Sequence, residues 1–232
     1  MIDMGTNGEM VLGNAERMTA CSTAAGPALE GGRICCGMRG SEGAIDHVWL
    51  EEGRLSCSVI GDTEARGICG SGIIDAASVM LDLGILNKRG RIQKDYSGEE
   101  KDRRYSLTDR VYLTQEDIRE IQMAKGAIAA GIVLMAKQLG ITLEEIDRVI
   151  LCGAFGNYMK PESACRIGLI PAELQGKITA GGNAAGMGSR EMALDREKLY
   201  LTDRLLEKIE FIELASIPEF QRVYASNMMF SI

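Results

Sequence analysis

The chain begins with MIDMGTNGEM (residues 1–10), in which a short apolar segment and an aspartate lead into a turn of glycine, threonine and asparagine. The apolar segments MIDM (1–4) and EMVLGN (9–14) predict two antiparallel strands joined by this turn. Asn7-Gly8 is a strong short hairpin signal and favours a type I′ turn. A second interpretation stays open, because glycines at a strand end let backbone N–H groups approach a phosphate. The two interpretations are compatible.

The segments that follow are arranged as in an α/β domain. RMTACST (17–23), HVWLEE (47–52) and RLSCSVI (54–60) predict further strands. GICGSGIIDAASVMLDLGIL (67–86) predicts a helix, and strands are predicted at RVILCGAF (148–155) and KITAGG (177–182), with helices after each. Strands first, then strands alternating with helices, predict an α/β domain with a mixed sheet flanked by helices.

The clearest helix signal lies in LTQEDIREIQMAKGAIAAGIVLMAKQLG (113–140). Thr114 is the predicted N-cap, Asp117 lies in the first turn, and Gly140 ends the helix. Gly126 and Gly131 stand inside it, where each costs about 1 kcal/mol relative to alanine. We therefore expect a neighbouring element to approach the helix closely at these positions.

Other polar residues on the predicted elements have ordinary structural interpretations. Asp75, like Asp117, is interpreted as a first-turn residue stabilised by the helix dipole. Gln122 and Lys125 are interpreted as a solvated helix face, with ligand contact as the alternative. His47 is the only histidine and is expected at a surface or an edge. The charged run from Lys88 to Arg104 is expected to be a solvated loop, with partner docking as the alternative.

Composition excludes several classes of function. The 232-residue chain has 46% hydrophobic residues and a net charge of -7, which argues against nucleic acid and anionic membrane as partners. It has no apolar stretch long enough to span a membrane and no signal peptide. Seven cysteines, an odd number without a CxxC pair, predict reduced thiols in a cytoplasmic protein that holds no iron–sulfur cluster or structural zinc of its own.

The turn at the start of the chain also carries carboxylates. Magnesium prefers one or two carboxylates together with water. Asp3 is therefore predicted to orient magnesium-bound water while the backbone of residues 5–8 donates to phosphate oxygens. Glu9 is a candidate for polarising the attacking water or assisting magnesium, but its position fits a plain hairpin partner equally well.

A second glycine turn, CGAFGNY (152–158), follows a predicted buried strand. Gly153, Ala154 and Gly156 offer a surface small enough for a flat purine, and Asn157 is the candidate for a polar contact. The alternative is a strand end in which Phe155 packs into the core.

Several separate motifs resemble the C-terminal part of the reductive activators of corrinoid proteins. The resemblance covers nearly the whole chain. It implies an actin-like ATPase module, related to sugar kinases, in which two ribonuclease-H-like halves face a nucleotide cleft. Residues 1–232 would form the second half. The motifs are DMGTNGEMVLGN (3–14), ACSTAAGPALEGGRI (20–34), GICGSGIID (67–75), LTQEDIREIQMAKGAIAAGI (113–132) and CGAFGNYMKPESACRIGLIP (152–171).

The resemblance also implies site residues. DMGTNGE would be the second phosphate motif and CGAFGNY the adenosine motif. TAGGNAAGMGS (179–189) would be the hinge helix, whose small residues let the halves pack closely. The implied phosphate-side residues are Asp3, Gly5, Thr6, Asn7, Gly8 and Glu9, with Asp3 also toward the metal. The implied adenosine-side residues are Gly153, Ala154, Gly156 and Asn157. Further cleft residues would be Ser22, Thr23 and Gly26. The hinge residues would be Gly182, Ala184 and Ala185.

The implied activity is ATP- and Mg2+-dependent reduction of inactive Co(II) corrinoid to Co(I) in a methyltransferase system. The partner would be a corrinoid protein or corrinoid-dependent methyltransferase, and a homodimer is compatible with this. The first phosphate motif and the cysteines of the family's 2Fe-2S ferredoxin-like domain are absent, which predicts that the chain is a fragment with weak or no nucleotide binding alone. Two alternatives remain: a small-molecule kinase of the same superfamily, and a non-catalytic docking module for a corrinoid protein.

Overall fold

The computed structural model describes residues 1–93, 103–153 and 158–231, and its centre is a mixed β-sheet. Strands are numbered along the chain, and the central sheet contains β1 (Ile2–Met4), β2 (Gly8–Gly13), β3 (Met18–Thr23), β9 (Val149–Cys152), β10 (Ile178–Gly182) and β11 (Ile209–Phe211). Their order is β10–β9–β1–β2–β3–β11. β1 runs antiparallel to β2 and β2 to β3, whereas β1–β9, β9–β10 and β3–β11 are parallel. The predicted mixed sheet is confirmed.

A smaller sheet and a helix are inserted between β3 and the long helix. The strands β4 (Ala44–Glu51), β5 (Arg54–Val59) and β6 (Gly67–Ile68) pair in the order β5–β4–β6. Helix α1 (Gly70–Asp82) packs on β4, and a hairpin of β7 (Arg104–Ser106) and β8 (Tyr112–Thr114) ends the insertion. The predicted strands at 47–52 and 54–60 and the helix within 67–86 are confirmed.

The charged run within this insertion departs from its prediction in part. Ile92, which lies inside this run, and Leu107, which lies three residues after it, are both buried in the hydrophobic core. The wholly solvated loop expected from Lys88 to Arg104 is therefore wrong at Ile92, while residues 94–102 lie outside the described residues.

The long helix α2 (Gln115–Leu139) has the predicted ends. The Thr114 side chain accepts from the Asp117 N–H at 3.1 Å, and the Asp117 carboxylate accepts from the Thr114 N–H at 2.8 Å, which makes a capping box. Gly140 ends the helix in the left-handed conformation. A Cβ at Gly131 would lie 2.5 Å from Met10 Cε, and one at Gly126 would lie 3.1 Å from Met228 Cγ. The predicted close approaches at the two glycines are confirmed.

The remaining helices follow the parallel strands. They are α3 (Pro161–Arg166), α4 (Ala184–Leu194), α5 (Arg196–Leu206) and α6 (Phe220–Asn227), with short 3₁₀ turns at Pro27–Glu30, Ala172–Leu174 and Leu214–Ser216. α2 covers one face of the hairpin strands β2 and β3, and α6 packs on α2. None of the described residues of α4 or α5 is buried.

The expected solvated face of α2 is wrong, because the end of the chain covers it. Lys125 is 1% exposed and Gln122 is 7% exposed. Lys125 Nζ donates to the carbonyls of Asn227 and Met229, and Gln122 Nε2 donates to the Met228 carbonyl at 2.9 Å. These polar groups therefore fix the segment that follows α6.

Asp75 is also placed differently from its prediction. It lies in the sixth position of α1, beyond the first turn, and is fully buried. The first-turn interpretation is wrong for Asp75 and confirmed for Asp117. The carboxylate of Asp75 is stabilised by direct partners, which are described with the site below.

Candidate functional site

The two strands that precede the glycine turns end side by side in the central sheet. β1 and β9 are parallel neighbours with Asp3 opposite Cys152, so Met4 and Gly153, which follow this pair, lie at the same edge of the sheet. Gly153 has φ 88°, and a Cβ there would lie 2.6 Å from Asp3 Oδ1 and 2.6 Å from the Met4 carbonyl oxygen. Only glycine fits this position without a shift of the backbone. Gly153, the first residue after β9, therefore lies directly against the end of β1.

The rest of the predicted adenosine turn lies outside the described residues. It comprises Ala154, Phe155, Gly156 and Asn157. Their predicted roles therefore stay predictions.

The first turn is a hairpin, although not of the expected type. Met4 pairs with Gly8, which leaves a loop of Gly5, Thr6 and Asn7, closed by a 2.9 Å bond from the Gly5 N–H to the Asn7 carbonyl. A type I′ turn needs positive φ at both central residues, and neither Asn7 nor Gly8 has it. The type I′ prediction is wrong. In the described part of the chain, no backbone carbonyl engages the N–H of Thr6 or Asn7, so both amides are available to an anion.

Gly8 has a packing reason of its own. A Cβ at Gly8 would lie 2.3 Å from Ile128 Cδ1 and 2.8 Å from Thr23 Oγ1. The close approach of α2 therefore excludes a side chain there. Thr23, predicted as a cleft residue, is buried and turned toward α2 with its hydroxyl 3.4 Å from the Gly8 carbonyl oxygen.

A row of polar side chains crosses the opposite face of the sheet. Cys152, Asp3, Glu9 and Ser22 are cross-strand neighbours on β9, β1, β2 and β3, so their side chains share one face. The Ser22 hydroxyl donates to Glu9 Oε1 at 3.3 Å. Burial, and in second place the charge of Asp3, raises the pKa of the Cys152 thiol. Asp3, Glu9 and Ser22 thus lie together on one face of the sheet, and their predicted roles stay predictions.

The Asp3 carboxylate has the freedom that a role toward metal-bound water requires. No hydrogen bond from the described residues reaches its oxygens, although it is half-buried beside Gly153. Among the same residues, no group of three or more histidine, cysteine, aspartate or glutamate side chains is arranged to hold a metal ion. Magnesium needs only one or two carboxylates with water, so the donor set fits that ion better than a metal held entirely by protein.

Sequence reasoning missed a second carboxylate beside the turn. The Thr6 hydroxyl lies 3.3 Å and 3.4 Å from the two oxygens of Glu30, which ends the 3₁₀ turn Pro27–Glu30. Gly26, predicted as a cleft residue, precedes this turn with φ 75°, and a Cβ built there would have no atom within 4 Å. No local pattern could have paired Thr6 with a residue 24 positions away.

The segment after the second turn is tied to the inserted subdomain through a buried carboxylate. Asp75 Oδ2 lies 2.9 Å from His47 Nδ1 and 3.2 Å from Lys160 Nζ, and it accepts from the Val48 N–H at 3.3 Å. Its other oxygen has no hydrogen-bond partner among the described residues. Lys160 Nζ also lies 5.9 Å from the centre of the Trp49 ring. Lys160 follows CGAFGNY by two residues, so this cluster anchors the exit of the turn.

The predicted hinge region begins where β10 ends. Gly182 has φ 66°, and the Asn183 side chain caps α4 by accepting from the Gly186 N–H at 2.8 Å. Gly181 packs closely on the neighbouring strand β9, where a Cβ would lie 2.5 Å from the Ile150 side-chain atom Cγ2. The predicted packing of Ala184 and Ala185 against another half stays a prediction.

A mixed sheet of this order, with glycine turns at the ends of two neighbouring parallel strands, is the arrangement of the actin-like, or ASKHA, class of ATPase folds. The chain belongs to the family described as the C-terminal domain of RACo, the ASKHA domain, whose model matches residues 1–232.

Relatives and a solved structure support this assignment. The chain is 36% identical over 250 residues to the corrinoid activation enzyme RamQ of Eubacterium limosum, and 29% identical over 252 residues to the Co(II) methylated amine-specific corrinoid protein reductase of Methanosarcina barkeri. These alignments cover 99% and 98% of the chain but only 42% and 45% of the relatives. A solved reductive activator for corrinoid,iron-sulfur protein superposes with a TM-score of 0.87 at 34% identity, over 99% of this chain and 39% of that one.

The helices in the described residues give no candidate for a membrane span.

Proposed function

We propose that this chain supplies one side of the ATP site in a reductive activator that returns the Co(II) corrinoid of a methyltransferase system to Co(I). The observation that carries the proposal is the close approach of Gly153 to Asp3 and Met4, which supports a common site for the predicted phosphate and adenosine turns. The relatives' names supply the reaction class, and the chain spans less than half of their length. The activity therefore belongs to a larger protein.

Within this proposal each turn has a part to play. The amides of Thr6 and Asn7, with Gly5 and Gly8 allowing close approach, donate to phosphate oxygens. Asp3 orients water bound to Mg2+, because its carboxylate is half-buried and accepts no bond from the described residues.

Glu9 and Ser22, joined by their hydrogen bond, lie on the same face and extend the site away from Gly153. Gly26 allows the entry of the 3₁₀ turn that carries Glu30 toward Thr6. Residues 153–157 cup the adenosine. The tie from Lys160 to Asp75 holds the exit of that turn.

The remaining parts of the activator lie beyond this chain's motifs. A 2Fe-2S domain and a first phosphate motif belong to the rest of the protein, and the partner is a corrinoid protein or corrinoid-dependent methyltransferase. We place the protein in the cytoplasm and allow a homodimer.

The test is Mg-ATP binding by calorimetry on the full-length gene product. Asp3→Ala is expected to weaken binding roughly tenfold or more, as expected for loss of a charged group at a magnesium site. The matched control is Asp109→Ala, at an exposed turn position of β7–β8. Gly153→Ala should weaken binding as well, because its Cβ would displace Asp3.

Other outcomes separate the alternatives. Absence of Mg-ATP binding, with no effect of Asp3→Ala on activation, would replace this proposal by the docking module. ATP turnover that requires a small hydroxy or carboxy acceptor, and yields its phosphate ester or acyl phosphate respectively, would replace it by the kinase.

A further inference from the structure

A basin lined by arginines lies at the N-terminus of α2, away from the two glycine turns. It has a volume of about 870 Å³ and is open on one side. On α2, Arg119 of the basin and Ile128, which packs against Gly8 of the phosphate turn, are nine residues apart, or about 14 Å along the helix axis. In the described part of the chain, the arginines that line it are Arg33, Arg89, Arg91, Arg103, Arg104 and Arg119.

This concentration of positive charge stands out on a chain whose net charge is -7. The acidic side chains among the described lining residues are Glu116 and Asp117. Asp117 is already committed, because one oxygen accepts from the Cys35 N–H and the other from the Thr114 N–H, each at 2.8 Å. Within residues 1–93, 103–153 and 158–231, no carboxylate pairs with Arg33, Arg89, Arg91 or Arg119.

The backbone that carries two of these arginines is held firmly. Asn87 Oδ1 accepts from the N–H groups of Arg89 and Arg91 at 2.9 Å and 3.0 Å. From α2, Gln122 Nε2 donates to the Arg89 carbonyl at 3.3 Å, and Gln115 Nε2 donates to the Gly90 carbonyl at 2.7 Å. The turn is thus fixed before any ligand arrives, which lowers the entropic cost of binding.

The other walls are fixed too. The Arg104 guanidinium lies 4.6 Å from the centre of the Tyr112 ring, and the Cys35 thiol lies 3.4 Å from the Tyr112 hydroxyl. Arg33 adopts φ 60°, an uncommon conformation for a residue with a side chain. It lies two residues before Cys35, whose backbone N–H donates to the Asp117 carboxylate. The N-terminal end of α2 adds its positive dipole to the same space.

Arg33, Arg89, Arg91 and Arg119, which pair with no carboxylate of the described residues, repel one another across the basin, and a bound anion relieves that repulsion. Each guanidinium offers a planar set of donors that matches carboxylate or phosphate oxygens in pairs. One small anion could satisfy only a few of these donors, whereas the arginines come from four segments around the basin. The volume falls within the usual range for small-molecule sites.

We propose that this basin binds a small polyanion, a molecule with two or more phosphate or carboxylate groups. The guanidinium groups of Arg89, Arg91 and Arg119 hold its charged groups, and Arg104 stacked on Tyr112 forms one wall. The proposal does not depend on the nucleotide site.

The test is calorimetric binding of inorganic tripolyphosphate, without Mg2+, to this chain. The double variant Arg89→Gln/Arg91→Gln should weaken binding roughly tenfold or more, because charged hydrogen bonds are lost. The matched control is Arg54→Gln/Arg190→Gln, which makes the same change in net charge at exposed positions of β5 and α4. Circular dichroism of both variants, which alter only exposed side chains, is expected to match that of the unmodified chain.

The outcomes that overturn the proposal are distinct. Equal weakening by both double variants would show attraction to overall charge rather than a site. An oligoglutamate peptide that binds while tripolyphosphate does not would make the basin a docking surface for an acidic segment. In the full-length gene product, Mg-ATP affinity should be unchanged by Arg89→Gln/Arg91→Gln, so the two proposals can fail separately.

Discussion

Lys125 is a buried ammonium group that pairs with no carboxylate of the described residues, and this makes stability depend on pH in an unusual direction. It is 1% exposed, and its described partners are the backbone carbonyls of Asn227 and Met229 and the ring of Phe230, 5.4 Å away. Burial lowers the pKa of Lys125 from 10.5 to about 7. The perturbation that tests this is Lys125→Met, which keeps the length and apolar stem but removes the titration.

The direction in which stability changes with pH follows from proton binding to the folded and unfolded chains. Between pH 7 and pH 10.5 the unfolded chain holds the proton and the folded chain does not, so the free energy of unfolding rises with pH across that window. Well below pH 7 the full cost of the buried charge is present, because the folded chain then holds the proton too. For one group with these two pKa values, the gain from pH 6 to pH 9 is about 3 kcal/mol.

The assay is urea unfolding of this chain and of the Lys125→Met variant at a series of pH values. Subtracting one curve from the other removes the groups that titrate in both. The stability of the variant relative to the unmodified chain should fall by about 3 kcal/mol from pH 6 to pH 9. Lys198→Met, at an exposed position of α5, is the control and should give a flat difference.

Two results would refute this reasoning. A flat difference for Lys125→Met would mean that the ammonium is as well solvated in the fold as in water. A difference of opposite slope would mean that the carbonyls at the end of α6 hold the proton more tightly than water does. The pH-independent difference in stability between the variant and the unmodified chain is a separate quantity. It includes about 1–3 kcal/mol for each of the two carbonyls that methionine leaves without a donor.

Three further changes test the packing and the polar ties by urea unfolding. Gly8→Ala should destabilise the chain by about 1–3 kcal/mol, because its Cβ would overlap Ile128. The control Gly5→Ala would place its Cβ no closer than 3.5 Å to any neighbour and should destabilise the chain less. Equal losses of stability would contradict the packing account. Thr114→Ala removes the capping box of α2 and should cost about 1 kcal/mol; no loss would mean that the cap is replaced by water. Asp75→Asn should cost about 1–3 kcal/mol through its weakened contacts, and a neutral outcome would show that the cluster contributes nothing to stability.

The strands of the hairpin and the long helix could be predicted because their signals are local. A capping box, a terminal glycine and glycines inside a helix act within a few residues, so Thr114, Gly140 and Gly131 indicated the ends of α2 and its close approach to the sheet. The parallel order of strands followed from their alternation with helices. The turn type failed because the closing pair Met4–Gly8 depends on strand register, which Asn-Gly alone does not determine.

The polar contacts that shape the site could not be predicted in this way. Gln122 and Lys125 lie off the apolar stripe of α2, and helical periodicity cannot show that a segment about 100 residues later covers them. The same holds for Thr6 with Glu30 and for Lys160 with Asp75, since each pair joins separate segments. A buried charge is stabilised by whatever the fold brings near it, so its partner is a property of tertiary structure.

Packing explains only some residues of the first turn. The residues that packing does not explain are the argument for a ligand. Gly8 must be glycine because α2 lies against it, so Gly8 by itself says nothing about phosphate. Asp3 has no such reason. A carboxylate held half-buried beside Gly153, without a described hydrogen-bond donor, costs stability that an apolar residue would not. The amides of Thr6 and Asn7 likewise face no backbone acceptor in the described residues. Groups that folding leaves unsatisfied at one sheet edge are the ones that a magnesium-bound phosphate would satisfy.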